Sequence, residues 1–161
     1  AAVMPPRRAK VPATRAIDTP ICRYPGGNFV SAYNWEDGIG PKENRPKRLD
    51  LAWRTTETNH VGIHEFADWA EKAGTEMMLA VNLGSRGLDE ARSFVEYVNH
   101  KGGTYWSDLR AKNGRKEPWN CRLWCLGNEM DGPPPCSSGG GGEAGGSGSS
   151  LRTTVPWMTS P

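Results

Sequence analysis

The sequence is short of apolar residues. Hydrophobic types fill 36% of its 161 positions, below the ~45–50% apolar share of ordinary globular domains, a share that also counts glycine. No apolar run approaches the ~20 residues of a membrane-spanning helix, so a membrane is not an expected partner. No charge of one sign dominates either: 20 Lys and Arg stand interspersed with 18 Asp and Glu, which leaves none of the one-sided basic field that nucleic acid requires. Cysteine is scarce, with Cys22, Cys121, Cys125 and Cys136 at irregular spacing, and no disulfide framework is expected. Cys121 and Cys125 form C-x3-C, but no second pair follows, and no zinc site is expected there. His60 and His64 lie four apart with Glu65 after the second. A zincin helix needs the glutamate after the first histidine, so these read as two surface histidines near a helix start. No G-x-G-x-x-G opens a helix, no internal repeat is visible, and neither cofactor nor metal is expected. The first sixteen residues carry Arg7, Arg8, Lys10 and Arg15 without an acid, but Pro5, Pro6 and Pro12 interrupt any amphipathic helix and no secretory h-region follows. A cytoplasmic location is the expectation.

Glycine and proline are in excess instead, at 20 and 13 residues. The excess is local: 12 of the 14 residues at 137–150 are Gly or Ser, too few side chains to offset the entropy of ordering. The expected division is an irregular start over 1–19, a folded part over 20–133 and a Gly/Ser-rich disordered tail over 134–161. The middle part is too short for a complete (β/α)8 barrel, which takes ~250 residues.

Within the middle part, short apolar runs alternate with helical periods. Ile21–Tyr24 reads as a strand ended by Pro25-Gly26-Gly27, and Asn28–His60 as an extended loop. Ile63, Phe66, Ala67 and Ala70 give a helix with Asn59 as a possible N-cap and Gly74 as the terminating glycine. Met77–Val81 is continuous enough to be a buried strand. Leu88–Val98 repeats the helical period, His100–Asn120 reads as a second loop, and Leu123–Leu126 as a third strand. This order predicts an α/β fold with a parallel sheet.

In parallel sheets the chemistry collects at the carboxyl ends of strands. Those ends hold Arg23 to Asn28, Asn82-Leu83-Gly84 and Gly127-Asn128-Glu129-Met130-Asp131. Amides and carboxylates suit sugar hydroxyls, which both donate and accept hydrogen bonds. Seven tryptophans add flat apolar faces on which sugar rings stack, Trp35 and Trp53 in the first loop among them.

The segments RYPGGNFVSAYNWEDGIGPKENRP (Arg23–Pro46), LDLAWRTTETN (Leu49–Asn59), MMLAVNLGSRG (Met77–Gly87), GGTYWSDLR (Gly102–Arg110) and LWCLGNEMDGP (Leu123–Pro133) closely resemble the α-L-arabinofuranosidases of glycoside hydrolase family 51. The resemblance implies a partial (β/α)8 barrel, about strands 2 to 4 with their helices. It implies Glu129 as the general acid/base, Asn28 and Asn128 as sugar-binding residues, Arg23 as a support beneath them and Asn82 as an outer candidate by position. The implied partner is an arabinofuranosyl oligosaccharide derived from arabinoxylan or arabinan, the implied chemistry hydrolysis with retention and no metal. Family members are often homo-oligomers.

The sequence departs from the family after Pro133, where Pro134-Pro135-Cys136 leads into the Gly/Ser tract. The first strand with its sugar-binding glutamate, strands five to eight and the β-sandwich domain have no counterpart. The nucleophile belongs to strand seven in the family. The expectation is therefore a fragment, inactive by itself, whose residues 134–161 come from unrelated sequence through a frameshift, wrong splice or broken gene. A non-catalytic arabinose-binding module and a functionless truncated product are the alternatives.

Overall fold

The computed structural model describes residues 19–50 and 53–129, so the expected tail and nearly all of the expected irregular start lie outside the described residues. β1 (Ile21–Tyr24) leads into three 3-10 turns, Gly27–Ala32, Trp35–Gly38 and Lys42–Asn44, and then into an antiparallel hairpin of β2 (Arg48–Asp50) and β3 (Thr55–Glu57). α1 (Ile63–Ala73), β4 (Glu76–Val81), α2 (Leu88–Asn99), α3 (Tyr105–Lys112) and β5 (Leu123–Leu126) follow. β4 is central, with β1 and β5 parallel on either side; Cys22 faces Met77 and Leu126 faces Val81.

α1 forms because Ile63, Phe66, Ala67, Ala70 and Ala73 fall on one buried face. It ends at Gly74, whose φ of 72° is the left-handed conformation expected of a terminating glycine. Its start differs from the expectation. Asn59 is not the cap; its amide donates to the Pro46 carbonyl at 2.7 Å, and Gly62 caps instead, its N–H received by Glu65 at 2.9 Å. Glycine is required there, since a Cβ would overlap the Gly38 carbonyl. α2 buries Phe94, Tyr97 and Val98 against Leu79 and Val81 of β4. Each such side chain contributes ~1.5–3 kcal/mol of transfer free energy.

Neither long loop is structureless. The first is stitched to α1 by Arg45, whose side chain is 3% exposed. Its five N–H groups reach the Gly40 and Asn59 carbonyls and both Glu65 oxygens, at 2.9–3.1 Å. The second holds α3, whose inward residues are Ser107 and Arg110. Arg110 is fully buried and donates to the carbonyls of Tyr97, Arg115, Lys116 and Lys101. The guanidinium thus adds polar ties to the packing of Trp106 and Leu109 against the core.

Two further expectations change. His60 is exposed, but His64 is half-buried, its Nε2 2.7 Å from the Tyr97 hydroxyl, because α1 turns it onto α2. Trp35 is core: it stacks on Phe94 with centroids 5.0 Å apart and abuts Tyr97 and Trp106. Burial leaves it no sugar-binding face. Cys121 buries its thiol against the carbonyls of Met77 and Leu123, and burial pushes its pKa up to about 11.

Candidate active site

Parallel pairing of β1, β4 and β5 brings their carboxyl ends side by side, and three of the five residues singled out from the sequence, Arg23, Asn28 and Asn128, meet there. Asn128, just past β5, donates through Nδ2 to Asn28 Oδ1 at 2.6 Å. Arg23, on β1, donates to Asn128 Oδ1 at 3.2 Å. These contacts span 100 and 105 positions of sequence. Both are exposed, so the cluster forms an open polar ledge.

The β5 end is shaped by backbone. The Gly127 N–H continues the ladder to the Val81 carbonyl at 3.1 Å. Gly127 then takes φ 81°, and Glu129 takes φ 48°, a conformation that residues other than glycine seldom adopt. Such strain is held where the surroundings over-determine it. Glu129 is exposed and follows Asn128 directly in the chain, while Met130 and Asp131 lie outside the described residues.

Asn82, at the end of β4, has a different part. Its Oδ1 receives the N–H groups of Gly84 and Ser85 at 3.0 Å, and its Nδ2 donates to the Tyr33 carbonyl and the Ser85 hydroxyl. The amide is used up in joining two loops. Sequence position alone identified it without showing this role. Trp53 lies at the turn of the hairpin and is 65% exposed, the flat face that Trp35 does not provide.

Sequence reasoning missed one charged group at this end. Arg86 donates to Asn34 Oδ1 at 3.1 Å and to Glu36 Oε1 at 2.9 Å, and pairs with Glu90 at 2.6 Å. The four-residue spacing of Arg86 and Glu90 at the start of α2 was the available signal. Among the described residues no three His, Cys, Asp or Glu gather as metal ligands, and no helix is long and apolar enough to cross a membrane.

An amide pair with a carboxylate next in the chain can both donate to and accept from hydroxyl groups. Residues 13–134 match the α-L-arabinofuranosidase 1 domain model. The chain belongs to the family 51 α-L-arabinofuranosidases. It is 63% identical over 127 residues to an intracellular exo-α-(1→5)-L-arabinofuranosidase of Halalkalibacterium halodurans, covering 79% of this chain and 25% of that one. It is 55% identical over 128 residues to an exo-α-(1→6)-L-arabinofuranosidase of Bifidobacterium longum, covering 79% of this chain and 24% of the relative. Among solved structures, AbfB, a family 51 α-L-arabinofuranosidase of Bifidobacterium longum, superposes with TM-score 0.73 at 60% identity, over 74% of this chain and 23% of that one. The Thermotoga maritima α-L-arabinofuranosidase in its arabinose complex gives 0.73 at 51% identity, over 74% and 25%. The chain spans about a quarter of the length of the curated relatives it matches.

Proposed function

We propose that this α-L-arabinofuranosidase segment is the acid/base side of a retaining, exo-acting catalytic site that removes terminal α-L-arabinofuranosyl groups from arabinan- and arabinoxylan-derived chains. In this reading β1, β4 and β5 are strands two, three and four of a (β/α)8 barrel. The observation that carries it is the Asn128 to Asn28 hydrogen bond, with Glu129 next in the chain. The two amides hold ring hydroxyls, and Arg23 fixes which way the Asn128 amide faces. Glu129 protonates the departing glycosidic oxygen and then takes a proton from the attacking water. It must be protonated when substrate arrives and ionised after the leaving group departs, the alternation that a retaining mechanism demands of one carboxyl. The second carboxyl, ~5–5.5 Å away, attacks the anomeric carbon. The family resemblance puts it on strand seven, so a polypeptide of these 161 residues alone is proposed to bind without turning over. A cytoplasmic location, supported by relatives named intracellular, belongs to the same reading.

The test is a chimera in which residues 20–129 replace the matching segment of the Bifidobacterium longum family 51 enzyme. The chimera is expected to release aryl alcohol from an aryl α-L-arabinofuranoside, and the 161-residue chain alone to release none. Glu129→Gln in the chimera should cost ~10²–10⁴-fold, with the larger loss on poor leaving groups, because only those need a proton from an acid. Full activity of Glu129→Gln, or turnover by the isolated chain that depends on Glu129, would overturn the assignment.

A further inference from the structure

Two carboxyls share one guanidinium where the loops after β1 and β4 meet. Glu36, in the 3-10 turn Trp35–Gly38, receives Arg86 on Oε1 at 2.9 Å, and Glu90, in the first turn of α2, receives it at 2.6 Å. One positive charge thus faces two carboxyls. Asp37 adds a further negative charge toward Arg86, although Arg48 pairs with Asp37 at 2.8 Å. Glu36 Oε2 is buried and meets no N–H or O–H donor among the described residues. The cavity beside it, bordered by Val30, Tyr33, Val81 and Phe94, has a volume of about 10 Å³, at the limit of a single water molecule. Solvent therefore cannot hydrate that oxygen freely. Two ionised carboxylates here would leave one charge unbalanced and one buried oxygen unpaired, whereas a proton on the Glu36 carboxyl makes it a donor in its hydrogen bond with Glu90.

We propose that Glu36, Arg86 and Glu90 form a one-proton clamp across the loops after β1 and β4, closed while a proton is held between the two carboxyls and loosened when that proton is released to solvent. The clamp is one of four ties between residues 31–36 and 82–86. The Ser85 N–H reaches the Ser31 carbonyl at 3.0 Å, Asn82 reaches the Tyr33 carbonyl at 3.0 Å, and Arg86 reaches Asn34 as well as Glu36. Burial and the hydrogen bond with Glu90 push the Glu36 pKa up to about 7, while the same bond and Arg86 hold Glu90 below its ordinary value. Glu36 is therefore the acid of the pair and Glu90 the acceptor. The proton leaves near neutrality. Asn28 lies three residues before Ser31, so a loosened clamp frees the segment that carries the sugar-facing amide.

The test needs no catalysis and uses the full 161-residue chain. Carbon-13 NMR follows the Glu36 and Glu90 carboxyls from pH 4 to 9, and hydrogen exchange follows the protection factor of the Ser85 amide. Glu36 is expected to titrate near 7, and Ser85 protection to fall as the pH rises from the ordinary value of 4.5 toward that midpoint, by up to about tenfold per pH unit, the limit for release of one proton, and to level off above it. Glu36→Gln keeps a neutral donor in place and should make the protection flat; Glu90→Gln should move the Glu36 midpoint down. A Glu36 carboxyl that titrates at its ordinary value overturns the proposal. So does Ser85 protection that stays flat in the unmodified chain, or that changes identically in Glu36→Gln.

Discussion

Asn128 points its amide nitrogen at Asn28 and its amide oxygen at Arg23, so one side chain, held from both ends, joins the carboxyl ends of β1 and β5. The orientation is dictated by chemistry, since a guanidinium only donates and must face the oxygen. Asn128→Asp keeps the acceptor for Arg23 and replaces the donor to Asn28 with a second oxygen. In the chimera this substitution should weaken inhibition by arabinose about fivefold, the equivalent of ~1 kcal/mol for one hydrogen bond at an open site. The urea unfolding midpoint should barely move, because both contacts are exposed. Unchanged inhibition would separate this pair from sugar binding.

Arg45 offers the opposite case, a polar contact that is structural. Its guanidinium is nearly inaccessible, and Arg45→Leu would strand the Glu65 carboxylate and the carbonyls of Gly40 and Asn59. A loss of about 3 kcal/mol is expected in urea unfolding of the 161-residue chain, the low end for breaking a buried pair because Glu65 keeps partial access to water. Burial alone would raise the Glu65 pKa, but the hydrogen bonds from Arg45 and the Gly62 N–H outweigh it and hold the carboxyl below its ordinary value. Its contribution is therefore complete above the unfolded value of 4.5 and disappears as the pH falls through the lower folded value. In Arg45→Leu that acid-side loss should shrink.

Elements built on apolar periods were legible in the sequence, and those built on polar groups were not. Met77–Val81 and Leu123–Leu126 fall inside observed strands, and the Leu88–Val98 period matches α2 within a residue, because each is written in apolar residues. α3 escaped notice because its inward face is Ser107 and Arg110, which no hydrophobic period reveals. Its start did carry a signal: the Thr104 hydroxyl meets Ser107 Oγ at 2.7 Å, the spacing of a capping pair. Asn59 looked like a helix cap because asparagine is a good one, yet its side chain is held by Pro46 and its φ is 55°. The site divides the same way. Asn28, Asn128 and Glu129 were visible as strand-end polar residues, while the Arg86 clamp depends on an approach between Glu36 and Arg86 across 50 residues of chain.

Two tryptophans of similar sequence context should behave differently. Trp35 is 7% exposed and stacks on Phe94, so Trp35→Ala should cost about 3–5 kcal/mol in urea unfolding. Trp53, at 65% exposed on the hairpin, should tolerate alanine within about 0.5 kcal/mol. In the chimera, Trp53→Ala should weaken arabino-oligosaccharides more than arabinose itself, since a stacking face outside the terminal-sugar site matters only to longer ligands. Equal loss for both ligands would remove Trp53 from that role.

The Tyr97 hydroxyl, on a side chain with no exposed surface, lies 3.0 Å from Asn113 Nδ2 and 2.7 Å from His64 Nε2. Asn113 can only donate at that nitrogen, so the hydroxyl accepts from Asn113; toward His64 Nε2 it donates to one imidazole tautomer and accepts from the other. Burial lowers the His64 pKa, with Arg45 and Arg115 acting the same way, and these effects outweigh Glu65 and Asp68, which act to raise it. The unfolded chain therefore takes up the proton first. Stability from this group is complete above the unfolded value of 6.5 and declines as the pH falls from there through the lower folded value. Comparing urea unfolding of the unmodified chain with His64→Gln at pH 5.5 and 7.5 cancels the other titrating groups, and the unmodified chain should lose more on acidification. Tyr97→Phe should cost about 1–2 kcal/mol at pH 7.5, because it leaves both polar partners unpaired.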